Sequence, residues 1–229
     1  MAIPQSVTQW RSRLCEGFYA VERAAPGELM SSVEFFFDYG SPYSYLADSR
    51  LEGLRQRTGA EIVYRPMLLG GVFKATGNRS PFLEPVEAKQ RYFSLELRRT
   101  VARLGVAFKH NPNFPINTLG LMRAAYAAQS LDVFPTFHLA IYLAFWTKGA
   151  DLGQGEVIEK VLSEAGLEGR EILELSVSDE SKGALRATTD EAVERGVFGA
   201  PTFFVGGEMF FGNDRMDLVE EELAGREAK

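Results

Sequence analysis

The chain predicts an α/β fold, a small sheet carrying an inserted all-helical domain, on three observations. An apolar run from Val33 to Phe37 is followed by a helical pattern and then a second strand-like run from Glu61 to Tyr64. From about Leu68 to Glu194 helical periodicity replaces strand patterning. After Gly199 an aromatic-rich run, Ala200 to Val205, is separated by Gly206-Gly207 from Glu208 to Phe211, and a last helical pattern follows. Strand, helix, strand reads as a right-handed parallel unit, and the glycine pair reads as a hairpin between antiparallel strands.

In chain order, residues 1–31 form an extension in which Trp10, Leu14, Phe18 and Val21 are spaced roughly as one helix face. It lacks the apolar centre of a secretory signal, and Glu16, Glu22 and Glu28 argue against a transit peptide. Met30 is an alternative start just before the first strand, so a chain beginning there is expected to be soluble and active. A helix is predicted over 42–57, with Tyr45, Leu46, Ser49, Leu51 and Leu54 in the pattern and Thr58-Gly59 as its stop. The middle predicts helices over 70–76, 86–104, 118–128, 134–147, 155–165 and 179–195. Pro112 and Pro115 interrupt the series, and Val106-Ala107-Phe108 reads as a short extended piece. A final helix over 216–223 has Asn213 or Asp214 available as its N-cap. The implied organisation is one domain from 32–67 and 196–229, interrupted by a helical domain over 68–195.

Composition narrows the function. Across 229 residues the chain is 45% hydrophobic and 24% charged, with a net charge of −6. That is an ordinary globular composition with no basic footprint for nucleic acid. No apolar run approaches the ~18 to 20 residues that span a bilayer. A single cysteine, Cys15, permits neither an internal disulfide nor a multi-cysteine zinc site and suggests the cytoplasm. His110 and His138 are the only histidines, too few for most transition-metal sites, and read as ordinary surface or helix residues. No metal is expected.

The stretch Asp38-Tyr39-Gly40-Ser41-Pro42-Tyr43-Ser44 joins the first strand to the first helix. Such a turn aims backbone N–H groups and the positive end of a helix dipole at its ligand, which suits a thiolate, carboxylate or phosphate. Ser41 followed by Pro42 also fits a plain helix cap, which stabilises by about 1 kcal/mol without chemistry.

The element order, with Ala200-Pro201 immediately before the third strand, resembles a thioredoxin fold with an inserted helical domain. In that fold the proline is usually cis, which would place Ala200 beside Ser41. Thioredoxin-like oxidoreductases carry Cys-x-x-Cys at this helix start; here the positions are Ser41 and Ser44, so dithiol chemistry is impossible. Ser41-Pro42-Tyr43-Ser44-Tyr45-Leu46, the stretch Arg65-Pro66-Met67-Leu68-Leu69-Gly70-Gly71-Val72-Phe73-Lys74, Gly196-Val197-Phe198-Gly199-Ala200-Pro201 and Gly212-Asn213-Asp214-Arg215-Met216 together resemble the 2-hydroxychromene-2-carboxylate isomerases and kappa-class glutathione transferases. The match runs from about Val33 to Leu223.

The resemblance implies glutathione as cofactor, a small aromatic or electrophilic second substrate, and a homodimer. It implies that Ser41 donates a hydrogen bond to the glutathione sulfur and that Ala200 pairs its backbone with the cysteinyl part. Asn213 and Asp214 would hold the γ-glutamyl end, with Asp214 facing its ammonium group, and Phe211 and Gly212 would also contact the cofactor. Lys74 would pair with the glycyl carboxylate or with a carboxylate of the second substrate, and Asn113 would line the second substrate's pocket. Three functions stay open: a glutathione-dependent isomerase of 2-hydroxychromene-2-carboxylate, a general glutathione transferase or peroxidase, and a catalytically silent thioredoxin-like binding module in which Ser41 is only a cap.

Overall fold

The computed structural model describes residues 31–227; the pattern around Trp10 to Val21 and the alternative start at Met30 lie outside them. Strands β1 (Ser32–Phe37), β2 (Glu61–Pro66), β3 (Thr202–Val205) and β4 (Glu208–Phe211) form one sheet in the order β2-β1-β3-β4. The pairing of β1 with β2 is parallel, with Phe35 opposite Tyr64. Its pairing with β3 is antiparallel, as is that of β3 with β4. The helices are α1 (Pro42–Thr58), α2 (Leu69–Thr76), α3 (Glu87–Leu104), α4 (Leu119–Ser130), α5 (Phe134–Leu143), α6 (Gly155–Glu164), α7 (Gly169–Ser176), α8 (Asp179–Glu194) and α9 (Met216–Glu227). None of them is long and apolar enough to cross a membrane.

Side chains alternate across a strand with period two, and β1 is split accordingly. Val33, Phe35 and Phe37 join the large core that includes residues of α1, α4, α5 and α9. Phe36 faces the other way, into a smaller core with Met67, Val72, Ala192, Val197 and Phe204. Glu34 shares that second face and receives a forked hydrogen bond from Arg195, at 2.7 and 3.0 Å. The Arg195 guanidinium also lies 3.7 Å from the centre of the Phe204 ring. Glu191 bonds both Arg195 and Arg65, so α8 is fastened to the sheet by charge as well as by packing.

Two local readings are corrected. The 134–147 segment is α-helical only to Leu143 and continues as a π-helical turn, Ala144–Lys148, closed by Gly149 at φ +73°. Val106-Ala107-Phe108 lies outside the sheet and is held by the Tyr45 hydroxyl donating to the Ala107 carbonyl at 2.6 Å. Helix α7 is absent from the predicted helices, Gly169 at its start being a poor helix former. Gly169 permits close approach to α6, since a Cβ there would lie 2.7 Å from the Glu159 carbonyl oxygen. Ser31 already belongs with the sheet, its carbonyl accepting the Glu61 N–H at 2.9 Å.

Candidate active site

The C-terminal end of β1 runs into a turn that begins α1 with Ser41 as N-cap and Pro42 in the first turn. Ser41 Oγ accepts the Ser44 N–H at 3.1 Å, so the cap is real. The same hydroxyl donates to the Ala200 carbonyl at 3.1 Å, across 159 residues of sequence. The Ala200–Pro201 peptide is cis, as expected, and a second cis bond, Phe114–Pro115, was not foreseen. Among the described residues, neither the Tyr43 N–H nor the Ala200 N–H has a hydrogen-bond partner. Two backbone donors and one hydroxyl are thus gathered at one place.

They border a cavity of about 650 Å³, within the size range of small-molecule sites. One part of its lining is polar and comes from turns: Ser41, Ala200, Gly212, Asn213 and Asp214. Gly212 has φ +104°, a backbone conformation that favours glycine at this turn. The Asp214 carboxylate pairs with Arg215 at 2.6 Å, with both side chains more than half exposed. An exposed pair of this kind contributes at most about 1 kcal/mol, so the carboxylate is available to another cation. A second part of the lining is aromatic, with Phe82, Tyr92, Phe93 and Phe114 from the helical insertion. The Phe82 and Phe114 rings meet edge to face at 4.9 Å. Phe198 and Phe211 close one side with ring centres 4.4 Å apart, the Phe211 ring covering Gly199.

Of the sequence-predicted residues, Ser41, Ala200, Phe211, Gly212, Asn213 and Asp214 all line this cavity. Lys74 and Asn113 do not: both are exposed and absent from its lining. Phe73 lines the cavity and Lys74 is one residue further, about 100° around the helix. Asn113 turns inward on its own loop, its side-chain amide donating to Asn111 Oδ1 at 3.2 Å. The cation among the lining residues is Arg79.

Sequence reasoning missed Asp38 and Tyr43 as lining residues, although both lie in the turn it singled out. Asp38 is buried with its carboxyl pushed above the usual range by that burial, against the pull of three hydrogen bonds. The Tyr43 phenol is raised by burial first and then by Glu96 and Asp214, so it stays protonated. His138 is not an ordinary helix residue either. It is 4% exposed, with Nε2 2.9 Å from the Asp48 carboxylate and Nδ1 2.8 Å from the Tyr39 hydroxyl. This network lies under the Ser41 turn and fixes the Tyr39 ring. The Trp146 indole donates to the Tyr39 carbonyl at 2.9 Å.

The chain belongs to the DSBA-like thioredoxin domain family, whose pattern matches residues 32–224. Within it the chain stands with the 2-hydroxychromene-2-carboxylate isomerases and kappa-class glutathione transferases, which are enzymes. It is 32% identical to a 2-hydroxychromene-2-carboxylate isomerase of Sphingobium xenophagum over 195 residues, 85% of this chain and 99% of that one. It is 26% identical to the human glutathione S-transferase kappa 1, over 86% of this chain and 92% of that protein. A solved structure of 2-hydroxychromene-2-carboxylate isomerase superposes with a TM-score of 0.75 at 29% identity, covering 86% of this chain and 96% of that one. The fold is thus thioredoxin-like with an inserted helical domain.

Proposed function

We propose that this chain is a glutathione-dependent isomerase acting on 2-hydroxychromene-2-carboxylate or a close aromatic analogue in aromatic catabolism. The observation that carries the reading is the unpartnered Ala200 N–H beside the Ser41 hydroxyl at the start of α1. A cysteinyl peptide laid along Ala200 would gain a strand-like hydrogen bond there. Its sulfur would lie toward the helix N-terminus.

The donor set fits glutathione. Ser41 has one hydroxyl proton, donated to the Ala200 carbonyl, and would redirect that hydrogen bond to the sulfur; the Ser44 N–H donated into Oγ makes the hydroxyl a stronger donor. A charge-assisted bond plus the helix dipole lowers a thiol pKa by about one to two units, each worth about 1.4 kcal/mol. Asp214 pairs with the γ-glutamyl ammonium group in exchange for Arg215. Glutathione, when bound, supplies a nucleophilic sulfur whose reversible addition to a conjugated aryl pyruvate removes the double-bond barrier to rotation. Tyr43 holds its proton and donates to a substrate oxygen, while Arg79 attracts the substrate carboxylate. The aromatic wall orients the ring and excludes water. Serine itself is no nucleophile here, because among the described residues no base lies against Ser41: its hydroxyl contacts are backbone groups.

The same polar wall would serve a kappa-like transferase or peroxidase, and a silent binding module would keep only the cap. Retention on immobilised glutathione, followed by turnover assays with a hydroxychromene carboxylate and with neutral electrophiles, separates the three. Isomerisation that requires glutathione supports the proposal. No binding at millimolar glutathione contradicts both enzymatic readings. Turnover of electrophiles alone selects the transferase. The reading also carries a homodimer, which light scattering tests.

A further inference from the structure

We propose that Asp38 is the positioning residue of this site, the clasp that holds the Ser41 turn against the starts of α2 and α4 and thereby aims the Ser41 hydroxyl. The inference deepens the glutathione reading, on which it rests for what the hydroxyl is aimed at. Asp38 is 1% exposed. Its Oδ1 accepts the Gly40 N–H at 2.8 Å, and its Oδ2 accepts the Leu69 N–H at 2.9 Å and the Thr118 hydroxyl at 3.0 Å. Its own carbonyl accepts the Ser41 N–H at 2.9 Å.

Each donor is one that its own element leaves free. Leu69 begins α2, and the preceding cap residue, Leu68, has no side chain able to accept that N–H. Thr118 occupies the cap position of α4 but makes no capping bond there; its hydroxyl goes to Asp38 instead. Gly40 completes the contact, because a Cβ at that position would lie 2.9 Å from the Thr118 methyl. The Ser41 turn belongs to the sheet, whereas α2 and α4 belong to the inserted helices. One carboxylate therefore sets the spacing between the polar wall and the insertion. Two helix N-termini present partial positive charge to it, offsetting part of its burial cost.

Position and charge give opposite signs, which makes the role testable. An ionised Asp38 that acted only as a nearby negative charge would oppose a thiolate, so removing it would lower the thiol pKa. As a clasp, Asp38→Asn turns one acceptor into a donor facing a donor, the Ser41 turn shifts, and the thiol pKa rises.

The experiment titrates the ultraviolet thiolate absorbance of bound glutathione in the full chain and in Asp38→Asn, Thr118→Val and Thr118→Ser, with turnover and thermal melts alongside. Asp38→Asn is expected to raise the thiol pKa by about one unit and cut kcat near neutral pH about tenfold. Thr118→Val is expected to shift both in the same direction by less, with Thr118→Ser restoring them. A lowered or unmoved thiol pKa in Asp38→Asn overturns the proposal. So does a Thr118→Val enzyme that turns over as the parent does, and the threonine pair decides alone if Asp38→Asn does not fold. Failure of the parent chain to bind glutathione overturns both readings; binding by the parent with no shift in the variants overturns this one only.

Discussion

The two walls of the cavity are made differently. The polar wall is carried on turns: the α1 start, the Ala200–Pro201 bend and the Gly212 turn. The aromatic wall is side chains, carried by a helix and loops of the insertion. Backbone donors at fixed turns can hold a constant partner, such as a peptide-like cofactor, whatever else changes. Ring-bearing side chains can be exchanged one at a time, so substrate range is the property most open to change in this fold. The comparison implies that damage to one wall should leave the ligand of the other wall largely in place.

The largest expected effect is at Gly212. Gly212→Ala forces a Cβ into φ +104°, costing about 1 to 3 kcal/mol of stability and raising the glutathione Kd at least tenfold. Calorimetric titration together with a melt checks both. On the other wall, Phe82→Ala is expected to raise KM for an aromatic substrate about tenfold, the equivalent of about 1.4 kcal/mol of lost ring burial. Its glutathione Kd should stay within about twofold of the parent value, and a joint loss of both ligands would break the division into two walls.

A smaller effect is expected at Arg79, the exposed cation among the lining residues. Arg79→Met should raise KM for a carboxylate substrate by up to about fivefold, as an exposed ion pair allows, and leave a neutral electrophile unaffected. Lys74→Met should change neither. Equal losses at both positions would return Lys74 to the site.

The smallest effect concerns pH. Burial raises the Asp38 carboxyl above its ordinary value, so the folded chain holds that proton more tightly than the unfolded one. The resulting stability is full below about pH 4 and is lost as pH rises through the raised value. Melting temperatures of Asp38→Asn should therefore lack this downward step on raising the pH from about 4.

The polar wall was legible in the sequence because its turns need particular residues. Gly212 sits at positive φ, Pro201 precedes a strand, and Ser41-Pro42 starts a helix; each leaves a mark that does not depend on its neighbours. The aromatic wall was not legible, since Phe82, Tyr92, Phe93 and Phe114 look like any other apolar positions of a helical region until the chain is folded. Asp38 and His138 were missed for a related reason. Their partners, Thr118 and Leu69 for one and Tyr39 and Asp48 for the other, are 31 to 99 residues away. A buried polar group declares itself only through partners that tertiary structure brings. Helix α7 was missed, and the Gly169 that opens it serves contact between helices.

The most direct measurement is the titration of glutathione bound to the parent chain and to Ser41→Ala. Loss of the cap alone costs about 1 kcal/mol of stability and leaves turnover by the folded enzyme nearly unchanged. If the Ser41 hydroxyl stabilises the thiolate, the alanine variant shows a bound-thiol pKa raised by about one unit and turnover near neutral pH reduced about tenfold. A bound-thiol pKa identical in the two proteins would contradict the role assigned to Ser41.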